Sequence, residues 1–307
     1  MYMYDRPAWT GHVYETECFF PTWINKETAP HVQALVDAHH NLWGDKRLMP
    51  TEDGKFFGLT VDHAMGRGVM KGLDTIDDTI AKMVAGGPNA ITMHKGIAEH
   101  CFAPYAGKTC LVLKLTTFGV YHYESDVQVA SVEEAIAMGA DAVSVGCILG
   151  GDNQEQQIAM LGRISEEAHR NGMPLISHIY PRGNHITGDD QRSVENVMYA
   201  ARTAAELGVD LVKTTYTGDP ESFARVVQAA PTRVAIAGGN GCKTAQDFIQ
   251  MTRDVMDAGA AGVTYGRFVF QYPHVTPLVK TLGQVVHNGL SVKEAMELLD
   301  TLEHEDA

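Results

Sequence analysis

A lysine inside an apolar run is the sharpest chemical signal in this chain. Lys213 stands between Val212 and Thr214 in Leu211–Thr215, and lysine is rarely buried without a partner or a task. Burial favours the neutral amine, and a neutral amine can attack a carbonyl to form an imine. The alternative is a structural lysine paired with a carboxylate on a neighbouring strand. Tyr180, in Tyr180-Pro181-Arg182-Gly183, is a phenol suited to proton transfer. Asp62, at the end of another apolar run, could orient a hydroxyl or cap the following helix. Lys114 is a second lysine in an apolar run. It could balance Asp62, contact substrate or compete as the nucleophile. Gly238-Gly239 and Gly266-Arg267 end two further runs. Glycine-rich turns with a nearby arginine suit a phosphate, although glycines also make plain tight turns. Lys243 is a weaker candidate for the same task.

Elements that could bring these residues together recur from about residue 55. Eight short runs read as strands: Phe56–Val61, Ala90–Met93, Cys110–Leu115, Ala142–Cys147, Pro174–Ile179, Leu211–Thr215, Arg233–Ala237 and Gly262–Tyr265. They are continuously apolar, as strands of a parallel sheet covered on both faces are. Helical stretches follow most of them. The longest are 152–171 and 193–207, and Ser131-x-x-Glu134 reads as a helix cap. Glycine turns at 85–89, 138–141, 207–210 and 258–261 end helices before the next strand. Eight βα units predict an α/β fold, a TIM (β/α)8 barrel, with a doubly wound open sheet as the alternative. In such a barrel the strand C-termini form the active site, and the loops after the seventh and eighth strands hold phosphate. The strand ends deliver Asp62-His63, His94-Lys95, Lys114, Cys147, His178 through Gly183, Lys213 and the two glycine loops. The boundaries expected are an N-terminal extension, 1–54, packed on a catalytic barrel, 55–307. The extension carries Trp9, Trp23, Trp43 and a possible helix near 28–42. A last amphipathic helix is expected over 289–304.

The bulk properties fit this reading. The chain has 307 residues and a net charge of −14, so an anionic ligand must find its positive charge locally. A pI of about 5.4 argues against nonspecific nucleic-acid or anionic-membrane binding. Five cysteines without CxxC spacing read as reduced thiols. No signal peptide or long apolar stretch is evident, so a cytoplasmic location is expected.

The chain resembles the archaeal-type class I fructose-bisphosphate aldolases, within a wider group that includes deoxyribose-phosphate aldolase. The similarity is carried by Val61-Asp62-His63, His94 through Glu99, Leu113-Lys114-Leu115, Ala130 through Ala135, Gly139 through Val143, Tyr180 through Gly183, Val212-Lys213-Thr214, Gly238-Gly239 and Gly266-Arg267. These pieces keep the family's order over roughly 55–285. The resemblance implies that Lys213 forms the Schiff base, Tyr180 is the general acid/base and Asp62 is the first strand's acid. It implies phosphate binding by Gly238, Gly239, Gly266 and Arg267. His178, Lys114, Arg182 and His63, at or near strand ends, are expected to contact the substrate as well. The implied substrates are dihydroxyacetone phosphate, or a ketose phosphate releasing it, and an aldehyde. No cofactor or metal is implied, and a homo-oligomer, often a decamer, is. Two departures bear on the aldehyde half: Ala64 replaces a glycine common in the family, and His178 replaces a tryptophan. Similar barrels make an amino-dideoxy-heptulosonate phosphate or act as thiolases on a phosphorylated autoinducer; Tyr180 favours the aldolase over the thiolase. Three readings outside this group compete. A metal enzyme would use Asp62, His63, His94 and His178. An isomerase or flavin barrel would share only the phosphate site. A phosphate-binding scaffold would lack turnover.

Overall fold

The computed structural model describes residues 53–239 and 241–306. The expected extension, apart from residues 53 and 54, lies outside them, with its tryptophans and possible helix.

Eight parallel strands close into a barrel in the order β1-β10-β9-β8-β7-β6-β3-β2. They are β1 (Phe56–Thr60), β2 (Ala90–Met93), β3 (Cys110–Lys114), β6 (Ala142–Leu149), β7 (Leu175–Pro181), β8 (Leu211–Thr215), β9 (Arg233–Ala237) and β10 (Gly262–Tyr265). All eight expected strands are present, and the open-sheet alternative is excluded by closure of β1 on β10. β6 and β7 each run two residues further than expected. The long helices form at Gln154–Arg170 and Val194–Glu206, and the last at Val292–Asp306. The Ser131 hydroxyl accepts from the Glu134 amide, as its spacing predicted.

Register is fixed by a device repeated at the strand entrances. Asn89, Asp141 and Asp210 stand just before β2, β6 and β8. Their side chains accept from the amides of Phe57, Leu111 and Leu175, on the strand before, at 2.6, 2.9 and 2.8 Å. Each also donates its own amide to that residue's carbonyl. The preceding glycines, Gly87, Gly139 and Gly208, have φ of 80°, 73° and 78°, a left-handed bend that reverses the chain out of the helix. Each turn thus ends a helix and sets the register of the next strand.

That register decides what the barrel holds. Successive strand residues alternate between outside and inside. Outward side chains such as Leu59, Ile91, Leu113, Val145, Val212 and Ile236 join the large core under the helices. Inward ones form a separate plug at the entrance end: Phe56, Ala90, Val112, Ala142, Ile176, Leu211 and Ala235. Two, four and, for Asp62, six residues on, the same inward positions carry Thr60, Asp62, His94, Lys114, Gly146, His178, Tyr180 and Lys213, which line the mouth. An apolar floor under a polar mouth keeps water from draining through the barrel and leaves the chemistry at one end.

One element was not anticipated. After β3 the chain forms an antiparallel hairpin, β4 (Thr116–Gly119) with β5 (His122–Gln128). Its strands contain no continuous apolar run because the ribbon is largely solvated, so the pattern used to find barrel strands passes over it.

Candidate active site

The mouth is a cavity of about 850 Å³. Lys213 enters it from β8, in register with His178 on β7 and Ala235 on β9. Its side chain is 5 % exposed, and it makes no hydrogen bond or ion pair with any described residue. Burial therefore acts on the amine with little relief. The lysine is pushed down to about 8; the Asp62 carboxylate opposes the shift, and the Lys114 charge adds to it. A paired structural lysine would show a carboxylate in contact, and none is. Near neutral pH a useful fraction of Lys213 is free amine, facing open space.

Asp62 follows β1 and lies 3.4 Å from His63 Nδ1 and 3.9 Å from His178 Nδ1. Burial pushes its carboxyl up, but His63, Lys213 and Lys114 outweigh that, and the net direction is down. Burial holds His63 down to about 4 and His178 well below its ordinary value. Both imidazoles are neutral at pH 7, so Lys213 and Lys114 are the cations that keep Asp62 ionised there. Asp62 caps no helix: the short helix Ala64–Arg67 starts at His63 without a side-chain cap bond.

Tyr180 lies across from Ile148 in the β6–β7 register. Burial raises its phenol well above 10, while Arg182 and Arg67 pull the other way. The phenol is thus protonated at rest and able to donate. Arg182 lies over its ring at 5.5 Å and over Phe118 of the hairpin at 4.8 Å, so a phenolate formed during reaction meets a guanidinium.

The two glycine loops form the facing wall. Gly238, Gly266 and Arg267 line the cavity; Gly239 turns the loop behind them with φ of 97°. Gly266 packs so close to His63 and Thr60 that a β-carbon there would overlap both. Arg67 is near enough to act on both Arg267 and Tyr180, so it adds to the positive charge that Arg182 brings to the phenol. Lys243 does not line the cavity; its amide donates to Asp247.

Among the residues expected around the substrate, His63, Lys114, His178 and Arg182 all line the mouth. Arg67, Phe118 and Asp126, which sequence reasoning had not assigned, are also among the lining residues, and so is His94, which it had placed at a strand end and in the metal reading. Arg67 could have been found from its place just after Asp62. Asp126 could not, because it belongs to the hairpin. The four acid and imidazole groups of the metal reading do approach one another, yet no cluster of three or more potential ligands is placed to hold an ion among the described residues. No described helix is long and apolar enough to cross a membrane.

A parallel eight-stranded barrel that gathers a buried amine with no described partner, a phenol and glycine loops at one mouth fits the class I aldolases, enzymes of aldehyde-lyase chemistry. Comparison with known proteins agrees. The profile of the DeoC/LacD family aldolases matches residues 57–272. The chain is 36% identical over 249 residues to the 2-amino-3,7-dideoxy-D-threo-hept-6-ulosonate synthase of Halobacterium salinarum, covering 80% of this chain and 91% of that one. It is 32% identical over 253 residues to the class 1 fructose-bisphosphate aldolase of Thermoproteus tenax, covering 80% and 94%. A solved structure of a Schiff-base-forming fructose-1,6-bisphosphate aldolase superposes with a TM-score of 0.72 at 31% identity, covering 78% of this chain and 97% of that one. The chain belongs to the DeoC/LacD aldolase family.

Proposed function

We propose that the protein is a lysine Schiff-base aldolase that cleaves or forms a ketose phosphate of the fructose-1,6-bisphosphate type, with dihydroxyacetone phosphate as the ketone half. The observation that carries the reading is Lys213, an unpaired buried amine facing the cavity beside Tyr180 and the loops of Gly238, Gly266 and Arg267. In the direction of synthesis the Lys213 amine adds to the ketone carbon. Loss of water leaves a protonated imine, which withdraws electrons from the next carbon. As the imine's positive charge forms, the Tyr180 phenol releases its proton to solvent, and the phenolate, held beside Arg182, takes a proton from that carbon to give the enamine. The enamine carbon attacks the aldehyde, and the phenol returns its proton to the new alkoxide. Water then releases the ketose and restores the amine; cleavage is the reverse. Asp62 orients the hydroxyl groups, and Gly238, Gly239, Gly266 and Arg267 hold the phosphate. His178, His63, Lys114 and Arg182 contact the remainder of the substrate. A homo-oligomer and a cytoplasmic setting belong to the same proposal, on the strength of the family resemblance.

A second reading has its own support in the 36% identity to a heptulosonate synthase. It shares the imine chemistry and differs in the ketone donor as well as the acceptor aldehyde. Arg67 and Arg182, on the side of the mouth next to Tyr180, suit an acceptor carrying an anionic group, which both readings provide. Release of dihydroxyacetone phosphate from fructose 1,6-bisphosphate tests the choice. Steady cleavage supports the first reading. Failure to cleave it, with condensation of a dideoxy-ketose phosphate and an amino-acid semialdehyde, replaces it with the second.

Two expected results follow. With Lys213 titrating near 8, the ammonium dominates below that pH and has no lone pair to attack with. Imine formation from dihydroxyacetone phosphate should fall about tenfold per unit below pH 8 and level off above it. Stopped-flow trapping across pH 6 to 10 checks this; a flat profile contradicts it. Arg267→Ala should raise KM for phosphorylated ketose by about 10- to 100-fold through loss of a charge-assisted contact, about 1.5–3 kcal/mol. Steady-state kinetics should show kcat changed far less.

A further inference from the structure

The hairpin brings into the mouth a group that neither the family pattern nor the proposed reaction uses. Asp126 of β5 is 4 % exposed and Lys114 of β3 is 6 % exposed. Between them stands Thr116 of β4, fully buried. Lys114 Nζ donates to the Thr116 hydroxyl at 3.3 Å, and the Gly146 amide donates to it at 2.7 Å. The hydroxyl then donates its one proton to Asp126 Oδ1 at 2.9 Å. All of the hydroxyl's hydrogen-bonding capacity is used, and its direction is fixed.

The surroundings are built for this arrangement. Any β-carbon at position 146 would overlap the Asp126 carboxylate, so the inward position of β6 must be glycine. The Gln157 side chain clamps the Asp126 backbone, accepting from its amide at 3.2 Å and donating to its carbonyl at 2.9 Å. A buried cation is costly unless charge and hydrogen bonds compensate it. Here the compensating charge is Asp126, reached through one hydroxyl.

We propose that Thr116 and Asp126 are positioning residues that hold Lys114 as a fixed cation beside Lys213, and that this cation sets the pH at which the Lys213 amine becomes nucleophilic. The inference rests on the reading of Lys213 as the imine-forming amine and adds the device that tunes it. The groups facing Lys114 come from several elements of the mouth, and His94 at the end of β2 also lies against it, bonded to its backbone. Burial favours its neutral form, Asp126, Asp62 and Cys147 favour its charged form, and Arg182 opposes it. Lys114 in turn acts on Lys213, His178 and Asp62. Asp126 reaches Lys114 through the Thr116 hydroxyl, and no hydrogen bond or ion pair among the described residues joins it to Lys213, so its influence on Lys213 is proposed to pass through Lys114. Without the relay, Lys114 sheds its proton more readily, and Lys213 loses a repelling neighbour. The lysine amine then becomes available only at higher pH.

The test reads Lys213 itself. Trace acetic anhydride labels free amines, and peptide mass spectrometry across pH gives the midpoint for Lys213. Asp126→Asn and Thr116→Val should each raise that midpoint by about one pH unit. Thr116→Ser, which keeps the hydroxyl, should restore the wild-type value. In a Lys114→Met background, Asp126→Asn should produce no further shift, because the cation it works through is gone. An unchanged midpoint in both relay variants overturns the proposal, as does a full shift that persists in the Lys114→Met background. Labelling needs no substrate. A protein that forms no adduct with dihydroxyacetone phosphate but shows these shifts would lose the aldolase reading and keep the relay; the opposite pattern would do the reverse.

Discussion

Replacing Lys213 with Met is expected to lower aldol cleavage and synthesis by about 10,000-fold or more, the scale of removing a covalent nucleophile. The fold should remain intact. Methionine fills nearly the same space, no described carboxylate is in ion-pair contact with Lys213, and Lys114 remains to balance Asp62. Removing a desolvated amine also removes a cost of burial, so the thermal midpoint should stay level or rise. This combination separates a nucleophile from a structural lysine. Loss of a structural ion pair leaves an uncompensated buried charge and destabilises by about 3–5 kcal/mol. Thermal unfolding and a coupled cleavage assay on the same preparation read both quantities. Retained activity, or a large fall in stability without loss of chemistry, would contradict the assignment.

Tyr180→Phe should cut turnover by about 100- to 10,000-fold, the range for a positioned proton donor, while leaving imine formation in place. The ring stays, with its packing under Arg182, and only the hydroxyl is lost. Borohydride should therefore still trap dihydroxyacetone phosphate on Lys213 in the variant. Exchange of the substrate's carbon-bound proton with deuterated solvent should stop, because that step needs a base. Fast exchange in Tyr180→Phe would move the acid/base role to another group, and Asp62 is the nearest alternative in the mouth.

The barrel was legible because its strands are buried on both faces. Val143, Val212 and Val234 pack outward while Ala142, Leu211 and Ala235 fill the floor, and this double burial writes continuous apolar runs. Lys213 and Lys114 were legible for the same reason, as charges interrupting such runs. That Tyr180 and the glycine loops after β9 and β10 reach the mouth was expected from barrel phase and family resemblance together, and they line it. The hairpin was not legible: His122-Tyr123-Glu124-Ser125-Asp126 reads as solvated loop, and nothing local says that Asp126 turns inward. Its burial depends on Gly146, twenty residues later, on a strand whose glycine looks unremarkable alone. Arg67 offers only its place shortly after Asp62 as a signal, because its neighbours in the mouth, Phe118 of the hairpin and Arg267 after β10, are assembled only by closure of the fold.

The most direct test of the central claim is borohydride reduction of the protein with dihydroxyacetone phosphate, followed by peptide mass mapping. A single reduced adduct on Lys213, absent without the ketone and absent in Lys213→Met, is the predicted result. An adduct on Lys114 instead, or none at all in active protein, would contradict it.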